Sequence, residues 1–179
     1  MLTDAQVERW SRQIVLPEVG ARGQERLLGA RVALVGDGTV AADLLARAGV
    51  GTVERGQTLD ADVTVAMTTE ISVAVPPAPG RPSVVGVLDG PRAVVATLVW
   101  RSCLRCFADV WSPAGDPAGD DQPEAPARLA FGALVATETL RVLVAPPALS
   151  RLTVLDLREG TALVREIAPS GCARCGGLA

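Results

Sequence analysis

The chain has 179 residues, 49% of them hydrophobic, with a formal net charge of −3. That is long enough for one buried core, and its arginines are too scattered for a nucleic-acid footprint. No apolar run approaches the ~20 residues of a membrane span. The opening "MLTDAQVERWSRQ" has no signal-peptide core, so a soluble, cytoplasmic protein without nucleic-acid or membrane partners is expected.

Thr3-Asp4-Ala5-Gln6 fits a capping box and predicts a helix from about Asp4 to Gln13. "IVLPEVG" is a connector broken by Pro17 and Gly20, and "ARGQERLLGA" gives a short helix ending at Gly29. "RVALVG" is a continuous apolar strand of the buried, parallel type. "TVAADLLARAGVG" carries apolar residues at helical spacing, with Gly49 at its C-terminal end. "TVERG" reads as a second strand and Ala61 to Met67 as a third.

The following "TTEISVAVPPAPGRP" is ambiguous until Pro76 and Pro77 stop it. "SVVGVLDG" and "RAVVATLVW" are two further strands. Ser112 to Ala127 is rich in Pro, Gly and Asp and reads as a loop. "RLAFGALVATETLRVLVA" is a strong helix from about Arg128 to Ala145, stopped by Pro146-Pro147. "RLTVLDL" and "ALVREI", joined at Glu159-Gly160, form a hairpin.

The expected organisation is a single α/β domain with no internal repeat. N-terminal helices occupy 1–30, and a Rossmann-like core with the first cysteine pair occupies 31–111. A flexible loop follows at 112–127, then the late helix, hairpin and second cysteine pair at 128–179. Early βα units followed by strands that favour antiparallel pairing predict a mixed sheet.

Two absences and one pairing bear on chemistry. The sequence holds no His, Tyr, Asn or Lys, and all 17 cations are arginine. That excludes imidazole general bases, His-based triads, P-loop lysines and Schiff-base lysines. The four cysteines form two CxxC pairs, Cys103/Cys106 and Cys172/Cys175. In an intracellular chain such pairs read as metal ligands ahead of disulfides, with redox pairs or free thiols as the alternatives. Two CxxC turns complete a tetrahedral all-sulfur zinc site, which is closed and therefore structural.

Several segments together resemble the ThiF/MoeB/HesA family, bacterial relatives of ubiquitin-activating enzymes. "ERWSRQIVLPEVGARGQERLLGARVALVG" is similar to the family opening R-[YF]-x-R-Q-I-x-L-x-x-x-G-x-x-G-Q-x-x-L-x-x-x-[RK]-V-x-[VL]-V-G. "LARAGVGTV" is similar to the end of its first βα unit. "CLRC", "GALVATETLRVL", "LTVLDL" and "CARCGG" follow in the family's order. The likeness covers roughly Val7 to Arg55 and Ser83 to Gly177. It implies a shortened Rossmann-like ThiF/MoeB-type domain with a mixed sheet and a four-cysteine zinc site.

The resemblance further implies ATP–Mg²⁺ and adenylation of a C-terminal carboxylate. The partner would be a ubiquitin-like or sulfur-carrier protein, or a precursor peptide. It also implies a homodimer or a heterodimer with a full-length relative. Zinc carries over to Cys103, Cys106, Cys172 and Cys175. Arg12 matches the arginine that reaches across family dimers towards ATP phosphates, and equally suits a surface salt bridge.

The family loop G-x-G-G-L-G-S stands here as Gly36-Asp37-Gly38-Thr39-Val40-Ala41-Ala42. Gly36 and Gly38 keep the tight turn, and Ala41 suits a position that governs helix–strand packing. Thr39 sets a β-branched side chain where backbone should meet phosphate, and Asp37 opposes a polyanion at a helix N-terminus. Glu54 fits either the ribose-binding position or a solvated strand end. The family's next segment, with its Asn, Arg pair and phosphate-contacting Lys, has no counterpart. The metal-binding Asp appears as Thr68 or Thr69. A degenerate member is therefore expected, with a weak nucleotide site at Gly36, Gly38, Arg12 and Glu54 and no properly held ATP–Mg²⁺. Its role would be a zinc-stapled, non-catalytic scaffold or partner-binding subunit, the alternative being a minimal adenylyltransferase.

Overall fold

The computed structural model describes residues 1–56, 60–68, 81–99 and 125–167. Helices α1 (Asp4–Ile14) and α2 (Gly20–Gly29) lead into β1 (Arg31–Val35), α3 (Thr39–Ala48) and β2 (Thr52–Arg55). Strands β3 (Val63–Thr68), β4 (Ser83–Asp89) and β5 (Arg92–Leu98) follow, then α4 (Ala125–Val144) and the hairpin β6 (Ser150–Asp156) and β7 (Thr161–Ile167). All seven strands form one sheet in the order β2-β1-β3-β4-β5-β6-β7. Pairing is parallel from β2 to β4 and antiparallel from β4 to β7. The expected mixed sheet is present.

Local chemistry accounts for the element ends. Thr3 and Gln6 complete the capping box of α1, each side chain bonding the other's backbone N–H. Gly49 ends α3 in the left-handed region at φ +91°. The helix read as starting at Arg128 begins at Ala125, because Pro126 in a first turn costs no hydrogen bond. In the β6–β7 turn the Asp156 carboxylate accepts the N–H groups of Arg158 and Glu159, each at 3.0 Å. The Glu159 N–H and Arg92, whose Nε lies 2.9 Å away, hold its carboxyl below the usual range.

The core lies between one face of the sheet and the helices α3 and α4. Leu34, Val65 and Val95 meet Leu45, Phe131 and Val135 there. Two glycines set the depth of this contact. A Cβ on Gly86 would lie 2.8 Å from the Phe131 ring, and one on Gly132 would lie 2.6 Å from Val40 Cβ. Glycine at these positions lets α4 settle against both sheet and α3.

The N-terminal helices lock onto the far end of α3. Trp10 Nε1 donates to the Arg47 carbonyl at 3.5 Å, and buried Gln24 donates to the Ala48 carbonyl at 3.0 Å. Both satisfy carbonyls that a helix C-terminus leaves without partners. Arg26 does the same for α4, donating to the Val144 carbonyl at 2.5 Å. Among the described residues no helix is long and apolar enough to cross a membrane.

Candidate functional site

The turn between β1 and α3 is built by steric necessity. Gly36 sits at φ +90°, and a Cβ there would lie 1.8 Å from the Met67 carbonyl oxygen on neighbouring β3. Gly38 is the N-cap residue of α3, and a Cβ on it would lie 2.4 Å from Leu34 Cδ2. Both predicted glycines therefore come together in one close-fitting turn. No side chain caps the first amides of α3, so that helix end keeps its partial positive charge.

The turn's own side chains stand at that end. The Thr39 hydroxyl donates to Asp37 Oδ1 at 3.1 Å and accepts from Arg55 Nη2 at 3.1 Å. All three residues are exposed. A carboxylate, a hydroxyl and a guanidinium thus make one chain across the mouth of the turn. Asp37 adds negative charge where a phosphate would approach, and Arg55 is held by Thr39.

The sequence motif points to Glu54 and gives no sign of its neighbour Arg55. Parallel register sets Glu54 beside Ala33 and Arg55 beside Leu34. Leu34 belongs to the helix-facing core, so Arg55 lies on the α3 side and Glu54 on the opposite face. Glu54 is exposed and makes no side-chain hydrogen bond or ion pair among the described residues.

The structure does not bring Arg12 to its own turn. Arg12 is exposed in the last turn of α1, two residues beyond Trp10, which docks at the C-terminal end of α3. The Gly36–Gly38 turn is at the other end of that ten-residue helix, about 15 Å away at 1.5 Å per residue. The Arg12 side chain has no partner among the described residues.

The remaining acids are placed elsewhere. Of the two residues expected at the position of a metal-binding Asp, Thr68 is half-buried at the end of β3 and Thr69 lies outside the described residues. Asp62 is engaged at the opposite end of the sheet, accepting the Arg31 N–H at 2.9 Å and Arg81 Nη1 at 3.1 Å. Cys103, Cys106, Cys172 and Cys175 lie outside the described residues.

One buried polar centre has no counterpart in the sequence reading. Glu138 of α4 keeps only 4% of its side-chain surface exposed. It accepts from Thr97 Oγ1 at 2.9 Å, from Arg141 Nε at 3.1 Å and Nη2 at 2.7 Å, and from Arg151 Nη2. Burial pulls its pKa up, yet the hydrogen bonds from Arg141, Arg151 and Thr97 outweigh it and leave the pKa lowered.

The chain resembles known adenylyltransferases over a short stretch. No family model matches the chain. It is 47% identical over 55 residues to the adenylyltransferase and sulfurtransferase uba4 of Pyricularia oryzae, covering 29% of this chain and 11% of that protein. It is 44% identical over 55 residues to the probable adenylyltransferase/sulfurtransferase MoeZ of Mycobacterium tuberculosis, covering 29% of this chain and 14% of that one. These matches span a small part of either relative.

The fold likeness is far wider. E. coli MccB, crystallised with MccA-N7isoASN, superposes with a TM-score of 0.71 over 97% of this chain and 76% of its own, at 13% identity. PaaA superposes with a TM-score of 0.64 over 93% of this chain and 75% of its own, at 17% identity. The fold is thus similar to that of MccB and PaaA, and a 55-residue stretch is similar in sequence to ThiF/MoeB-type adenylyltransferases.

The segments that carry the resemblance have definite places in the fold. The opening motif is architectural at Trp10 and Gln24, which close the end of α3. "GALVATETLRVL" begins at the glycine that admits α4 against α3 and includes Glu138. The glycine turn keeps its backbone frame but carries Asp37 and Thr39 at its mouth.

Proposed function

We propose that the chain is a non-catalytic, zinc-stapled partner-binding subunit. Its pathway would activate the C-terminus of a ubiquitin-like or sulfur-carrier protein, or of a precursor peptide. The observation that carries this reading is the β1–α3 turn, whose steric frame is intact while the Asp37–Thr39–Arg55 chain spans its mouth. Adenylation relies on cations and Mg²⁺ aimed at developing charge, each preorganised donor being worth ~2.7–4 kcal/mol. The sequence has no Lys or Asn, and the cation at this turn, Arg55, is bonded to Thr39.

Several relatives support the kind of partner. Uba4 and MoeZ are named as adenylyltransferase and sulfurtransferase, and MccB is crystallised with MccA. In this reading Cys103, Cys106, Cys172 and Cys175 hold one structural zinc, leaving no cysteine for a thioester or persulfide. Emission spectrometry should find one zinc per chain, and a chelator should lower the melting temperature. Absence of zinc from freshly purified protein would remove that element. ATP–pyrophosphate exchange by the purified chain tests the larger statement, with no exchange expected.

A second reading has one observation in its favour. Arg12 is exposed, unpartnered among the described residues and remote from its own turn, which suits donation to a partner subunit's phosphates. The chain would then be one half of an adenylating heterodimer. In a complex reconstituted with a full-length relative, Arg12→Ala abolishes most activity under this reading and little under the first.

A further inference from the structure

The Glu138 centre leaves two guanidinium groups half-used. Arg141 directs its side-on edge, Nε and Nη2, to one Glu138 oxygen, and Arg151 directs Nη2 to the other. Nη1 of each donates to nothing among the described residues. The two side chains keep 28% and 29% of their surface exposed, whereas the carboxylate between them is closed off. Two cations on one anion leave a local charge of +1, anchored from below in a fixed geometry.

Further polar capacity lies in the same place. Arg151 Nε and the Thr153 hydroxyl are both buried without a hydrogen-bond partner. Arg151 and Thr153 share the face of β6 that looks towards α4, and Val164 of β7, directly across from Thr153, is 56% exposed. Glu166, across from Arg151, is exposed and makes no ion pair with it. It is the acidic neighbour on β7, and Thr97 is the polar neighbour on β5.

We propose that Arg141 and Arg151, held by Glu138, form a docking point for a carboxylate on an acidic, partly apolar peptide segment of a partner, with Val164 as the adjoining apolar contact. Guanidinium forks match carboxylates, and side chains already fixed lose little entropy on binding. The cradle lies on the α4 side of β6, away from the β1–α3 turn, so it needs no nucleotide. It deepens the reading of the chain as a partner-binding subunit by naming the chemistry of one contact.

The test is fluorescence anisotropy with the full zinc-loaded chain and a short labelled peptide of alternating Glu and Val. Binding is expected. Arg141→Gln and Arg151→Gln should each weaken it about fivefold, the worth of a partly buried charge pair. Glu166→Gln should strengthen it, Arg47→Gln should leave it unchanged, and the all-Gln peptide should not bind. A variant that misfolds is replaced by NMR of the wild-type chain, where the Arg141 and Arg151 Nε–H signals should shift on titration. No binding, or equal loss with Arg47→Gln, or unmoved Nε–H signals would overturn the proposal and leave the scaffold reading intact. Pyrophosphate exchange with the cradle still binding would overturn the scaffold reading alone.

Discussion

At Gly36 a single methyl group meets backbone rather than a movable side chain. Its carbon would lie 1.8 Å from the Met67 carbonyl oxygen, at a φ of +90°. Gly36→Ala should cost about 3 kcal/mol or more and lower the urea midpoint, whereas an unchanged midpoint would contradict this packing. Gly38→Ala should cost less, since the atoms it meets belong to the Leu34 side chain. Glu138 supplies the acid-side prediction. Its folded pKa is lowered, so its contribution is full above the unfolded carboxylate value of about 4.3 and is lost as pH falls from there through the folded value. Stability followed by circular dichroism should fall more steeply with acid in the wild type than in Glu138→Gln. Parallel profiles would refute the network's part in stability. The glycines were legible in the sequence because turn chemistry is local. Glu138 was not, because Thr97, Arg141 and Arg151 converge on it only once β5, α4 and β6 are side by side.

Periodicity marks the elements of this fold but not their packing partners. The capping box of α1, the Gly49 end of α3 and the Glu159-Gly160 turn depend on neighbouring residues, and all three appear as expected. The third strand, read as Ala61 to Met67, runs Val63–Thr68, because Asp62 is drawn out to the Arg31 N–H and Arg81. What no periodicity could reveal is that Trp10 of α1 and Gln24 of α2 reach the last carbonyls of α3. Gln24→Ala removes a buried hydrogen bond and should cost about 1–2 kcal/mol. Hydrogen exchange would show faster opening at the C-terminal turn of α3, with the β5–β6 core unaffected. Uniform acceleration across the sheet would mean that the helices are not a separate clamp.

Over the whole molecule, one sheet joins two differently built halves. The parallel half carries the glycine turn at its strand ends, and the antiparallel half carries the Glu138 centre and exposed β7. The sequence resemblance announced the first half through its motif and the second through the order of its segments. It carried no sign that Arg55 would cross to Thr39, since that contact depends on the parallel register of β1 and β2. On the proposed function, this domain keeps a ThiF/MoeB-like frame without independent ATP chemistry. The most direct measurement is ATP–pyrophosphate exchange by the purified chain with Mg²⁺, in the presence of a carrier protein or precursor peptide. Exchange indistinguishable from a no-protein control is expected, and exchange above that control that is lost in a Gly38 variant still folded by circular dichroism would contradict this function.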